Sequence, residues 1–242
     1  TTSVDHHTYR WSRRAHAEGL VVIDDPDSIV KCGNKVYLAE LLDLHRVRVP
    51  KTLIVHKGNQ EDVLNEIGLP CILKQPDSSF SQGVHKAVTE EELHDILESL
   101  LDASDLVIAQ QFLPTDYDWR IGVLDVKPLY ACRYNMAEKH WQIQRRDEKG
   151  KTHYGKVDTL PIEDAPGHVV HTALRASKLI GTGFYGVDLK ESGRRTYVIE
   201  VNDNPSIEAG FEDRVLKDDL YTRVMEVFLK RIEAHKEARD DK

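Results

Sequence analysis

The stretch Thr196–Pro205, TYVIEVNDNP, constrains the fold more than any other part of the chain. Its β-branched and aromatic residues suit a half-buried strand, yet Glu200 stands among them and Asn202 follows two positions later. A carboxylate taken out of water costs several kcal/mol unless a cation or hydrogen-bond donors come with it. Any fold of this chain must therefore bring Glu200 a partner. Regular alternation along a strand predicts Glu200 and Asn202 on one face, with Tyr197, Ile199 and Val201 on the other.

A second strand, FYGVDLK (Phe184–Lys190), precedes it across the short connection ESGRR. Closing these as an antiparallel hairpin predicts Lys190 opposite Thr196, Gly186 opposite Glu200, and Asp188 diagonal to Glu200 on the same face. Asp188, Glu200 and Asn202 then converge as oxygen ligands without His or Cys among them, which suits Mg²⁺ or Mn²⁺ rather than zinc. Gly186 would leave room above the ion. An ion pair between Glu200 and Arg194 or Arg195 would meet the same burial requirement.

The rest of the 242-residue chain alternates short apolar runs with helical patterns. Asn34–Leu44 has helical spacing, and CILK is a compact strand ending in Lys74. The polar loop QPDSSFSQG follows, and Thr89 with Glu92 forms a capping box opening a helix to about Leu101. DLVIAQQFL and WRIGVLDVKPLYACRY read as strands, the latter a hairpin about Asp125–Lys127. Arg145–Gly155 is a polar excursion, Pro166 starts a helix that Gly181 ends, and an amphipathic helix spans about Asp219–Ile232. This order predicts an α+β protein of two packed lobes.

A lysine closing a buried strand, followed by small polar residues, can meet phosphates with its charge and with loop N–H groups; a solvated loop beside a surface lysine is the plainer alternative. GTGFYG (Gly181–Gly186) has the letters of a dinucleotide fingerprint, but a helix precedes it and a strand follows, the reverse of what that site needs. His168 and His171 at helical spacing read as an exposed face.

Composition excludes other classes. No apolar run approaches the ~18 residues of a membrane span, so no membrane partner is expected. The net charge of −8, with acids and bases interspersed, argues against nucleic-acid binding. Cys32, Cys71 and Cys132 have no CxxC spacing and fit a reducing, cytoplasmic setting.

Taken in order, CGNKVYLAELL, PCILKQPDSSFSQGV, AQQFLPTDYDWRIGVL and GVDLKESGRRTYVIEVNDNPSIEAGFED resemble the ATP-grasp carboxylate–amine ligases, in particular the branch of RimK-type glutamate ligases and glutathione synthetase-like enzymes. The resemblance runs from about Ile23 to Phe228. It implies an ATP-grasp fold whose two α+β lobes grip ATP, and it assigns roles by matching position. Lys35 and Lys74, with Ser79, Ser81 and Gly83 of the loop, would hold the phosphates. Gln110, Gln111, Phe112 and Leu113 would form the hinge against adenine, and Asp118 would approach the ribose. Arg120 would face the transferring phosphoryl group, with Arg133 a candidate for substrate or phosphate. Asp188, Glu200 and Asn202 would bind two Mg²⁺ ions, Glu200 bridging them. Many relatives have an acid where Gln111 stands.

The resemblance further implies residues 1–30 as a linker or remnant of a preceding domain, 31–112 as an N-terminal lobe with the phosphate loop, and 113–242 as a C-terminal lobe with the metal site. The expected function is an ADP-forming ligase joining a small carboxylate to an amine of an amino acid or peptide, in a homo-oligomer. The alternatives are a non-catalytic ATP-binding or regulatory module and an ATP-grasp phosphotransferase.

Overall fold

A computed structural model describes residues 6–23, 25–77, 83–147 and 149–240. Ser79 and Ser81 lie outside the described residues. In chain order the elements are α1 (His7–Ala17), α2 (Pro26–Gly33), α3 (Lys35–Leu44), β1 (Thr52–Val55), α4 (Asp62–Glu66), β2 (Cys71–Lys74), β3 (Val84–Ala87), α5 (Glu90–Ala103) and β4 (Val107–Gln111). Then follow β5 (Tyr117–Leu124), β6 (Lys127–Asn135), β7 (Gln144–Arg146), β8 (Thr152–Tyr154), β9 (Val157–Leu160), α6 (Gly167–Ile180), β10 (Phe184–Ser192), β11 (Arg195–Asn202) and α7 (Asp218–Asp240).

Local chemistry explains most boundaries. Asp25 caps α2 with Pro26 in its first turn, and Asn34 caps α3 by accepting from the Tyr37 N–H. Thr89 and Glu92 form the reciprocal capping box of α5. The β5–β6 hairpin turns on Asp125 and Val126, both at positive φ (49° and 55°) as a two-residue primed turn requires. Opposite Gly122, the Tyr130 ring lies 2.2 Å from where a Cβ would be, so only glycine admits that ring.

Two antiparallel sheets carry the architecture. One has four strands in the order β1-β4-β2-β3, and its core is shared with α4 and α5 through Val63, Leu73, Leu93, Leu97 and Val107. The other has five strands in the order β11-β10-β5-β6-β9. One face of this sheet packs Trp119, Ile121, Val187 and Val201 against α6, and the same cluster takes in Cys32, Leu38 and Leu42 of α2 and α3. Both helices thus precede the smaller sheet in sequence yet pack on the larger one. A third cluster joins Leu124, Tyr130 and Phe184 to Leu220 and Phe228 of α7. The excursion after β6 holds a two-stranded ribbon, β7-β8, which its lack of apolar alternation concealed. Helix α1 was hidden for the same reason, and α7 runs past Ile232 to Asp240.

Candidate functional site

The β10–β11 hairpin departs from the expected register. Lys190 pairs with Tyr197 rather than Thr196, Gly186 with Asn202 rather than Glu200, and Asp188 lies directly opposite Glu200 rather than diagonal to it. The cause is a bulge between Asp188 and Leu189, which matches Leu189 to Val198 and leaves Ile199 as the extra residue. Because one inserted residue shifts parity, Val198 and Val201 share the buried face with Val187 and Leu189, while Ile199 turns towards the cleft with Glu200. The alternation placing Ile199 and Val201 together fails for this reason. The shared face of Asp188, Glu200 and Asn202 is retained, and Asn202 donates to Asp188 Oδ2 over 3.2 Å.

Cations supply the partners that the burial argument demanded. Arg120 on β5, paired with Asp188 in the sheet, donates from Nε and Nη2 to the two Asp188 oxygens over 2.7 and 2.8 Å. Burial works against its charge, but Asp188 outweighs it and raises the guanidinium pKa. Lys35, at the first turn of α3, reaches Glu200 over 3.5 Å. Arg194 and Arg195, the alternative partners, stand at the far end of the hairpin and make no described ion pair with Glu200. Among the described residues no group of three or more His, Cys, Asp or Glu side chains gathers to hold an ion. Asp188 and Glu200 stand opposite one another with Asn202 two residues further on, an all-oxygen set of the kind a hard cation takes.

A cleft between the two sheets is lined by Lys35, Lys74, Gln110, Asp118, Asp188 and Glu200 among others. Lys74 donates to Gln110 Oε1 over 2.8 Å, and Gln110 in turn donates to Thr52 Oγ1 over 3.0 Å. Burial lowers the Lys74 pKa to about 8, with Lys35 and Lys190 adding repulsion against the pull of Glu200 and Asp118. Asp118 is bound by Lys190 and Thr115, and burial raises its pKa. Gln111, Phe112 and Leu113 line the same cleft at the end of β4. Phe112 meets the edge of Trp141 with ring centroids 6.0 Å apart, and Lys86 lies 3.8 Å above the Phe112 ring. Next to Val84, which lines the cleft, Gly83 adopts φ 68°, and the Lys35 N–H donates to Pro76 O over 3.0 Å, tying α3 to the base of the polar loop.

Arg133 does not join this assembly. It pairs with Trp119 across β5–β6, whereas Arg120 pairs with Cys132, so the two arginines point to opposite faces. Its guanidinium stacks 4.7 Å from Trp119 and 5.0 Å from Tyr117, on the side packed by α6. Two useful residues were missed. Lys190 was readable in VDLK as the next same-face position after Asp188, but Trp141 lies in a segment without any period.

A second cleft, of about 410 Å³, opens on the other side of the carboxylates. Asp188 and Glu200 line both clefts, while Arg120 and Asn202 line only this one. Tyr134 sits beneath Arg120, with the guanidinium carbon 5.0 Å from its ring centroid.

Residues 32–227 match the RimK-like ATP-grasp domain. The chain is 31% identical over 193 residues to an alpha-aminoadipate–LysW ligase, LysX, of Sulfolobus acidocaldarius, covering 76% of this chain and 66% of that protein. It is 24% identical over 202 residues to a probable alpha-L-glutamate ligase of Maridesulfovibrio salexigens, covering 81% of this chain and 64% of the relative. The chain thus spans a little under two thirds of the length of such relatives. In structure it is similar to D-alanine–D-alanine ligase from Bacillus anthracis, with a TM-score of 0.73 at 18% identity over 94% of this chain and 76% of that one. The ATP-grasp ligase PsnB, solved with a precursor variant, Mg and ADP, gives a TM-score of 0.63 at 23% identity, covering 90% of this chain and 66% of that one. The fold is therefore that of the ATP-grasp ligases, and the chain belongs to the RimK-like ATP-grasp family.

Proposed function

We propose that this chain carries an ATP-dependent, ADP-forming carboxylate–amine ligase activity. The observation that carries the proposal is the wall of Asp188 and Glu200 standing between two clefts, one rich in lysine and one holding Arg120. Lys35, Lys74 and Lys190 suit a polyphosphate, and the end of β4 with Phe112 and Trp141 suits a purine ring. Asp188, Glu200 and Asn202 would hold Mg²⁺, and two ions with Glu200 between them fit the paired carboxylates best. Bound there, the metal would neutralise phosphate charge.

Phosphoryl transfer asks the protein for alignment and charge stabilisation rather than covalent chemistry. A donor carboxylate oxygen attacks the γ-phosphorus, the bond to ADP breaks, and an acyl phosphate results. The nitrogen of an amine then attacks the acyl carbon, the carbon–oxygen bond breaks, and phosphate leaves. Lys74 holds phosphate oxygens, Arg120 faces the moving phosphoryl group, and Asp118 with Lys190 meets the ribose side. The amine belongs to an amino acid or peptide, as the names of the relatives suggest. Three free, buried cysteines favour a reducing compartment such as the cytoplasm.

The test is ADP release by the full-length protein with MgATP, screened over amino acids and short peptides. Release that depends on both a carboxylate and an amine is expected. Tight MgATP binding without release on any combination would make the chain a nucleotide-binding module instead.

A further inference from the structure

Helix α7 is apolar on two faces, and the described residues cover only one of them. Leu220, Val224, Val227 and Phe228 turn inward and pack with Leu124, Tyr130 and Phe184 of the larger sheet. Roughly a third of a turn round the helix stand Tyr221, Met225, Leu229 and Ile232, spaced as a second apolar stripe. All four are exposed, and the central pair most of all, Met225 at 63% and Leu229 at 55%. A contiguous exposed stripe of this kind marks an interaction surface. The charges at its two ends say which kind. Asp218 stands seven residues before Met225, and Lys236 stands seven residues after Leu229. At 3.6 residues per turn all six side chains fall within about 80° of arc. Asp218 and Lys236 are both exposed, and no ion pair among the described residues includes either. Their neighbours Asp219 and Arg231 are, by contrast, paired to Arg223 and Asp125.

The stripe is its own complement. Laid antiparallel on a copy of itself, with a two-fold axis between Met225 and Leu229, it sets Met225 against Leu229, Tyr221 beside Ile232 and Asp218 against Lys236, each contact made twice. A parallel pairing would set Asp218 against Asp218 and Lys236 against Lys236, and both repel. We propose that α7 is the surface through which two copies of this chain associate, packed antiparallel along this stripe. Burial of the apolar side chains drives the association. The end charges fix direction and register, because exposed ion pairs add little affinity while opposed like charges cost it. A second copy carries both signs at the matching distances from the apolar centre. A partner or lipid surface of one sign would meet repulsion at one end. None of the six residues lines either cleft, so the proposal does not rest on the ligase reading.

The test is sedimentation equilibrium of the full-length protein, with circular dichroism to check that each variant is folded. A self-associating wild type is expected. Leu229→Glu brings two carboxylates to the axis and should raise the dissociation constant by about a hundredfold or more. Lys236→Glu opposes like charges at both ends and should raise it about tenfold. Adding Asp218→Lys to that variant exchanges the signs and should restore the wild-type value to within about threefold. A wild type that stays monomeric at high micromolar concentration overturns the proposal. So does a folded Leu229→Glu protein that associates as the wild type does, which would place the contact elsewhere. A double variant no different from Lys236→Glu overturns it too, because a self-complementary stripe makes the exchange silent. Should Leu229→Glu fail to fold, the two charge variants decide.

Discussion

The two clefts share a wall but treat charge in opposite ways. In the cleft between the sheets each described cation has a protein partner: Lys35 meets Glu200, Lys190 meets Asp118, and Lys74 leans on Gln110. In the second cleft the acids outnumber the bases and Glu212 is left with neutral donors. The first offers three lysines to a polyanion, whereas Arg120 is the one basic side chain among the described residues lining the second. Which side of Asp188 and Glu200 a residue lines therefore decides which ligand chemistry it can meet.

The largest expected effect separates the clefts by turnover. Arg120 lines only the second, so Arg120→Ala should slow ADP release by about 10²-fold or more, the scale for losing one electrostatic stabiliser, while MgATP affinity by calorimetry stays within a few-fold. Loss of binding to the same extent would erase the distinction. Next, Lys74→Ala and Glu200→Gln should each weaken MgATP binding by roughly 10- to 100-fold, the worth of a charge-assisted contact. Lys74 lines the nucleotide side alone and Glu200 lines both, so Glu200→Gln should also impair the second cleft and Lys74→Ala should not.

A smaller effect follows from protonation. Burial holds the Lys74 pKa at about 8, and a phosphate needs the charged ammonium. Below pH 8 the ammonium is present; as pH rises through 8 the free protein loses it, and MgATP affinity should fall by up to about tenfold per unit. Calorimetry at pH 7 and pH 9 checks this, and Lys74→Met should flatten the difference. The smallest effect is steric. A Cβ on Gly186 would lie 2.8 Å from Pro205 Cβ, on the wall of the second cleft. Gly186→Ala should cost about 1–3 kcal/mol of stability by overpacking, read by denaturant unfolding, with MgADP affinity unchanged.

The contrast between the clefts also marks what the residues reveal before folding. The hairpin, its acids and the turn at Asp125–Val126 were legible because period and turn chemistry are local. The exact partner of Glu200 was not, because one bulged residue, Ile199, slid the register without any glycine or proline to announce it. Arg133 looked equivalent to Arg120 as an arginine in a strand, and only pairing across β5–β6 sends it to the packed face. Glu212 belongs to no repeat or motif; its burial depends on Tyr134, 78 positions earlier. Residues that meet only through tertiary packing leave no trace in local spacing.

Because Asp188 and Glu200 belong to both clefts, no relay is needed to connect the occupants. Whatever factor a nucleotide on one side imposes on the affinity of a ligand on the other must be returned in full, by thermodynamic reciprocity. Asp188 and Glu200, both on one hairpin, are then the charged side chains through which such heterotropic coupling would pass. Titrating either ligand in the presence of the other measures it directly, and the two enhancement factors must agree.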